Sequence, residues 1–300
     1  MQNNKAKNNN VFREVEIQLS AKFGYDVAII SSKFIGGGCI SNASKIQTNI
    51  GNFFLKWNAT GPADIFIREE ESLKELKNAA NSNLYIPEVY GSRVIDKKPG
   101  FLILEYLSTD NSNFSNDEKL GRGLAQIHQH KKNSFGFYNN NYCGLTLQNN
   151  SFTKNWIEFF RDNRLRFLLE LIENERPLPA SEMFLYEKLM DRIPKLIPKT
   201  SEPVLIHGDL WSGNFMYSPK GPVLIDPASY FADREMEFAI ITMFGGFSHR
   251  FFSAYNEVNS LPTDWQQRNK LYQLYHVLNH YYLFGGGYQS QALNIVKSYL

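Results

Sequence analysis

Val204-Leu205-Ile206-His207-Gly208-Asp209-Leu210-Trp211-Ser212-Gly213-Asn214 is a short apolar strand that runs directly into a polar loop. Asp209 and Asn214 stand five positions apart, the spacing of an Asp-x-x-x-x-Asn phosphoryl-transfer loop. In such a loop the carboxylate accepts the proton of an attacking hydroxyl and the amide oxygen holds magnesium. A second apolar strand, 223–225, ends at Asp226. A carboxylate there can complete a magnesium site, because that ion takes few protein oxygens and fills its octahedron with phosphate and water. A lone Asp at a strand end is commonly a turn or cap residue. The ordered combination of strand, Asp, Asn, strand and Asp is what carries the chemistry. A two-metal phosphatase would need further His and Asp clusters that the chain does not supply, and no Gly-x-Ser-x-Gly elbow of a serine hydrolase occurs.

Working outward, the chain upstream holds the parts of a nucleotide site in the matching order. Lys56 lies among large apolar residues in Phe53-Phe54-Leu55-Lys56-Trp57. At about 100° per residue, Phe66, Leu73, Leu76 and Ala80 form one apolar stripe of a helix over 64–80, and Glu69 falls inside it. A carboxylate on a buried stripe requires a cationic partner, and Lys56 is the candidate. The segment Gly36-Gly37-Gly38-Cys39-Ile40-Ser41 precedes both and sits between two expected strands, where glycines let backbone N–H groups approach phosphates. Cys39 reads as a small loop residue. Glu105-Tyr106-Leu107 ends the last strand before a polar stretch, 108–116, and Glu105 and Leu107 are placed by position at an adenine-binding hinge.

The texture of the chain divides it accordingly. An amphipathic helix over 11–24 leads into strands over 27–34, 45–48, 53–57 and 101–106. Beyond 116 the pattern is helical, over 117–131, 153–174, 181–193, 235–255 and 265–283, interrupted by a strand pair over 204–206 and 223–225. This is an α+β arrangement with a cleft between two lobes. We assign 1–10 to a disordered tail, 11–107 to a nucleotide-binding lobe and 108–300 to a catalytic and substrate lobe. The 32 basic and 30 acidic residues are interspersed, so nothing points to a nucleic-acid partner. Two cysteines with no metal-type spacing argue against a disulfide framework or zinc site. No apolar run is long enough for a membrane helix, and the polar N-terminus lacks a signal-peptide core, so a cytoplasmic protein is expected.

The residues quoted, together with others along 11–300, closely resemble the fructosamine kinases, or ketosamine-3-kinases. These are a branch of the protein-kinase-like, aminoglycoside-phosphotransferase-like fold with an antiparallel β-rich N-lobe and a mainly helical C-lobe. The most diagnostic stretches are His207–Asn214, Ile225-Asp226-Pro227-Ala228, Asp233-Arg234-Glu235, Phe244-Gly245-Gly246-Phe247, and Leu278-Asn279-His280 followed by Phe284-Gly285-Gly286-Gly287-Tyr288. The resemblance implies that ATP phosphorylates the 3-hydroxyl of a sugar held as a ketosamine on an amine, often a glycated lysine. Phosphate at C3 lies next to the C2 carbonyl, so loss of a C1 proton lets the nitrogen lone pair expel it, and hydrolysis of the resulting imine frees the amine. It further implies Asp209 as base, Asn214 and Asp226 on magnesium, and Lys56 with Glu69 at the phosphates. Trp211 would form a face of the sugar pocket, with His280 and Tyr288 as further substrate contacts. The competing expectations are a kinase of the same fold acting on another hydroxyl compound, as choline and aminoglycoside kinases do, or a non-catalytic nucleotide-binding module. Two positions depart from the family pattern: Ala232 stands for Gly and Glu237 for Asp, which puts the support of the catalytic loop in question. Monomer and dimer are both compatible with the sequence.

Overall fold

The computed structural model describes residues 2–36, 41–110 and 114–300. Its N-terminal half is organised by a five-stranded antiparallel sheet of β1 (Ile29–Phe34), β2 (Asn42–Thr48), β3 (Gly51–Asn58), β4 (Val89–Ile95) and β5 (Lys98–Glu105), in the spatial order β1-β2-β3-β5-β4. Strand alternation decides what each face covers. Phe101 and Ile103 of β5 join Phe53 and Leu55 of β3 in a cluster capped by Val15 and Leu19 of helix α1 (Gln2–Phe23). Leu102 and Leu104 point the other way, to Phe66, Leu73 and Leu76 of α2 (Ile65–Ala79). Lys56 is paired in register with Leu102, so it lies on the α2 side of the sheet, the side of the cleft.

Helix α1 is longer than the sequence indicates and takes in residues 2–10, read above as a tail. Lys and Ala there are good helix formers, and extending a helix already anchored by Val15 and Leu19 costs little.

The C-terminal half is mainly helical. It contains α3 (Phe114–Ile127), α4 (Trp156–Glu158), a π-helical stretch Phe159–Arg166, α5 (Phe167–Glu175), α6 (Ala180–Leu196), α7 (Glu235–Phe244), α8 (His249–Val258), α9 (Trp265–Phe284) and α10 (Tyr288–Ser298). The helix expected over 235–255 is broken at Gly245 and Gly246, whose φ values of 69° and 91° are left-handed and stop α7. Between the helices lie the small strands β6 (Asn141–Cys143), β7 (Thr146–Gln148), β8 (Val204–Ile206), β9 (Phe215–Ser218), β10 (Gly221–Leu224) and β11 (Tyr230–Ala232). The strands read as a pair, β8 and β10, do not pair with each other. β8 pairs with β11 and β10 with β9, because the loop after β8 turns back as the hairpin β9–β10 before the chain returns alongside β8.

The two halves share one continuous apolar cluster, which runs from α2 and β5 through α3, β8 and β11 to α7 and α9. Polar straps reinforce it. On α2, Asp64 accepts from Tyr142 Oη at 2.8 Å, Glu71 accepts from the Asn139 amide at 3.2 Å, and Glu75 meets His130 Nε2 at 2.9 Å. At the other edge Glu105 accepts from Tyr85 Oη at 2.7 Å and pairs with Lys220 of the β9–β10 turn.

Ile103 is fully buried between β3, β4 and α1. Ile103→Ala is expected to cost about 2–5 kcal/mol in urea unfolding, and a loss under about 1 kcal/mol would show that α1 is not part of the packed core.

Candidate active site

β8 delivers the chain to His207, and the loop beyond it is held by its own backbone. The N–H groups of His207 and Gly208 both donate to the carboxylate of Glu237, the latter at 3.1 Å, and Glu237 is fully buried in the first turn of α7. Gly208 has φ +84°, and a Cβ there would lie 2.2 Å from the Ala228 carbonyl oxygen, so backbone passes backbone at a point only glycine allows. The His207 ring ties the loop to the strand leading to Asp226. Its Nε2–H donates to the Ile225 carbonyl at 2.9 Å, and its Nδ1 accepts from Asp209 N–H at 3.3 Å. That arrangement needs the neutral ring, which burial favours by lowering the pKa, against the opposing pull of Glu237.

Five of the expected site residues make direct contacts, in two groups. Asn214 Nδ2 donates to the Asp209 backbone carbonyl at 2.8 Å and to its Oδ2 at 3.0 Å, which leaves Asn214 Oδ1 as the oxygen able to face a cation. Lys56 Nζ reaches both oxygens of Glu69 at 2.8 Å and Asp226 Oδ1 at 3.0 Å, so it links α2 to the end of the metal strand. Burial works against the Lys56 charge, and is outweighed by Asp226 and then Glu69, so the ammonium is held above its ordinary pKa. Glu69 is pushed up to about 7, by burial first, with Lys56 opposing and Asp226 adding repulsion. Asp209 is pushed up to about 8, again chiefly by burial, with the Asn214 hydrogen bond opposing and Asp226 and Glu237 repelling its charge. Asp226 adopts a left-handed φ of 57°, uncommon for a residue with a side chain and a mark of a position fixed by its surroundings. Such a site has an excess of crowded carboxylate and calls for added positive charge.

The donor set suits magnesium. Asn214 and Asp226 offer hard oxygens, few enough to leave the remaining positions to phosphate and water. No group of three or more His, Cys, Asp or Glu side chains able to hold a metal occurs among the described residues.

The other expected positions are placed as follows. Gly37, Gly38 and Cys39 lie outside the described residues. A Cβ on Gly36 would meet nothing closer than the Phe34 ring at 4.0 Å, so no described neighbour requires glycine there. Glu105 has its N–H committed to the Glu88 carbonyl and its carboxylate to Tyr85 and Lys220, so neither is free for a nucleotide. Leu107 is half-buried just beyond β5. Trp211 is 36% exposed, which rules out a plain core role. Its ring lies over Gly213, where a Cβ would approach it to 2.3 Å, and tilts against Phe244. His280 touches both Phe244 and Tyr288.

The departures at Ala232 and Glu237 leave the loop supported. Ala232 is buried opposite Val204 in β11, and the longer Glu237 side chain reaches both N–H groups. Sequence reading missed His207 as the link between loop and metal strand, although it directly precedes Gly208-Asp209.

Residues 11–300 match the family model described as fructosamine kinase. The chloroplastic protein-ribulosamine 3-kinase of Oryza sativa subsp. indica is 38% identical over 273 residues, covering 89% of this chain and 78% of that protein. A crystal structure from Thermobifida fusca, assigned to a fructosamine-3-kinase, superposes with a TM-score of 0.83 at 28% identity, covering 95% of this chain and 97% of that one. The aminoglycoside phosphotransferase APH(4)-Ia, solved as a thermostable mutant with AMP-PNP and hygromycin B, shares the fold, with a TM-score of 0.63 at 15% identity, covering 95% of this chain and 98% of that one.

Replacing Glu237 with Gln turns an amide N–H₂ toward one of the two loop N–H donors. The expected result is a loss of about 1–3 kcal/mol in stability, the cost of an unsatisfied buried donor, together with a fall in kcat of about tenfold at little-changed KM for ATP. An unaltered kcat would show that the loop does not depend on this carboxylate. For Asp209 the sign is fixed by its raised pKa. The unfolded chain ionises near the ordinary carboxylate range and the folded chain only near 8, so this residue makes stability fall as pH rises between the two. Asp209→Asn should therefore melt above the parent at pH 8.5 and level with it at pH 4, measured without nucleotide or metal. Equal melting at both pH values would contradict the assignment.

Proposed function

The chain belongs to the fructosamine kinase family, and from that membership we propose that it transfers the γ-phosphoryl group of ATP to the 3-hydroxyl of a ketosamine. The observation that carries this reading is the pairing of Asn214 with Asp209 at 3.0 Å and of Lys56 with Glu69 at 2.8 Å and Asp226 at 3.0 Å, within a chain that matches the family over 11–300.

In this reading the Asp209 carboxylate accepts the hydroxyl proton as the sugar oxygen bonds to the γ-phosphorus and the bond to ADP breaks. The Asn214 amide fixes the orientation of that carboxylate. Lys56, braced by Glu69, binds the α- and β-phosphates. Asn214 and Asp226 would hold magnesium, which supplies positive charge to the phosphates when bound. The glycine segment from Gly36 would cover them, and the hinge around Leu107 would take the adenine. Trp211 offers the sugar an aromatic face. The 3-phosphate sits on the carbon next to the C2 carbonyl: loss of a C1 proton gives an enaminol, the nitrogen lone pair expels phosphate from C3, and hydrolysis of the resulting imine releases the free amine. No helix among the described residues is long and apolar enough to cross a membrane.

Purified protein with magnesium and ATP should phosphorylate ribulosyl- or fructosyl-lysine, and Asp209→Asn should reduce that turnover by at least about a thousandfold while ATP binding changes by less than about threefold. Activity confined to choline or an aminoglycoside, scored in the same phosphate-transfer assay, would replace the substrate class.

A further inference from the structure

The chain that follows Asp226 is held by a buried set of side-chain amides. Asn141 of β6 lies opposite Gln148 of β7 in register, and Asn150 follows two residues on, so the hairpin turns three amides to one side. All three are buried. Asn141 Nδ2 donates to the Ser229 carbonyl at 2.8 Å. Gln148 Nε2 donates to the Ala228 carbonyl at 3.3 Å and to Asn141 Oδ1 at 2.8 Å, and Asn150 Nδ2 donates to the same Asn141 oxygen at 2.7 Å.

The direction of these bonds is fixed from both ends. Backbone carbonyls only accept, so Asn141 and Gln148 must present nitrogen to Ser229 and Ala228. At the far end Arg164, which only donates, reaches Asn150 Oδ1 at 2.7 Å from the π-helical stretch, its guanidinium 3.9 Å from the centre of the Tyr230 ring. Tyr275 of α9 donates to Gln148 Oε1 at 2.9 Å, which leaves the Gln148 amide one orientation. No buried nitrogen or oxygen of the three amides lacks a partner. Polar groups this deep in a core cost free energy that apolar packing would not, and a satisfied network of them specifies a single arrangement.

What it specifies is the backbone around Asp226. Before that residue, Ile225 N–H donates to the Asn214 carbonyl at 3.0 Å and the Ile225 carbonyl accepts from the His207 ring. After it, Ala228 N–H donates to the His207 carbonyl at 2.9 Å, and the network adds a hydrogen bond to each of the Ala228 and Ser229 carbonyls. Asp226 needs fixed peptides on both sides. Its φ of 57° suits glycine better than a residue with a side chain, and Pro227 favours an extended residue before it. From this conformation its carboxylate meets Lys56 at 3.0 Å.

We propose that Gln148 is a positioning residue for Asp226, and that through it the β6–β7 hairpin, Arg164 and Tyr275 hold that carboxylate where it meets Lys56 and would bind magnesium. The inference goes beyond the kinase reading and rests on its assignment of Asp226 to the metal. Gln148 acts through backbone carbonyls alone. Its loss leaves the Asp226 side chain present but displaced, so the effect falls on what magnesium contributes to nucleotide binding and not on the contacts of the nucleotide itself.

The test is calorimetric binding of AMP-PNP to the full chain, with and without magnesium. Gln148→Met keeps an unbranched side chain of similar length and loses both hydrogen-bonding functions. Its metal-free Kd is expected within about twofold of the parent, while its Kd with magnesium rises about tenfold. Tyr275→Phe removes only the hydroxyl that orients Gln148; it serves if Gln148→Met does not fold, and should raise the Kd with magnesium about threefold. Leu189→Ala opens a cavity at a buried position of α6 and should lower the melting temperature with both Kd values held. An equal rise with and without magnesium, no rise in either, or the same magnesium-specific rise in Leu189→Ala would each overturn the positioning role while leaving the kinase reading intact. Asp226→Asn should itself abolish the tightening by magnesium, and parental tightening in that variant would remove the metal assignment and the inference together.

Discussion

One buried carboxylate holds the catalytic loop. Glu237 has no solvent exposure, and the groups facing it are the N–H groups of His207 and Gly208, with the His128 Nε2 atom 3.7 Å away. A charge in that position is tolerable only when its hydrogen bonds are made, so the N–H donors and the carboxylate fix each other. The constraint propagates from there. His207, pinned through its backbone, places its ring between Asp209 N–H and the Ile225 carbonyl, and Asp226 follows directly in the left-handed conformation that brings it to Lys56. Gly208 permits the arrangement, because any side chain would strike the Ala228 carbonyl.

The electrostatics of the site follow from the same crowding. Burial and mutual repulsion raise both Glu69 and Asp209, while Lys56 is kept charged by its two acidic neighbours. Without its ligands the cleft disfavours ionised Glu69 and Asp209, which hold their protons into the neutral range although Lys56 and Asn214 reach them. The binding of cations therefore relieves a cost already present in the fold.

Much of this was legible in the sequence because it rests on local periodicity and fixed spacing. The Asp209-to-Asn214 interval and the position of Glu69 on the buried stripe of α2 needed no tertiary information. The fold class was readable for the same reason, since the early strands alternate and the later helices repeat at helical spacing. What escaped was non-local. The partners of β8 and β10 depend on how a loop returns, and their apolar character is the same whichever strand lies alongside. Glu237 reads as a departure from a motif until its reach to two N–H groups is seen. Nor does local spacing show that the Glu105 carboxylate meets Lys220, 115 positions away in sequence.

The apolar cluster that runs without interruption from α2 and β5 into α7 and α9 has a mechanical consequence. Kinase-like lobes joined by a slender hinge can swing apart as separate bodies, but here a swing would tear a shared core and break the straps of Asp64, Glu71, Glu75 and Glu105. The chain behaves as a single cooperative unit whose halves melt together. Relative motion of the halves is therefore opposed at both edges of the cleft, by these polar contacts as well as by the apolar surface between them.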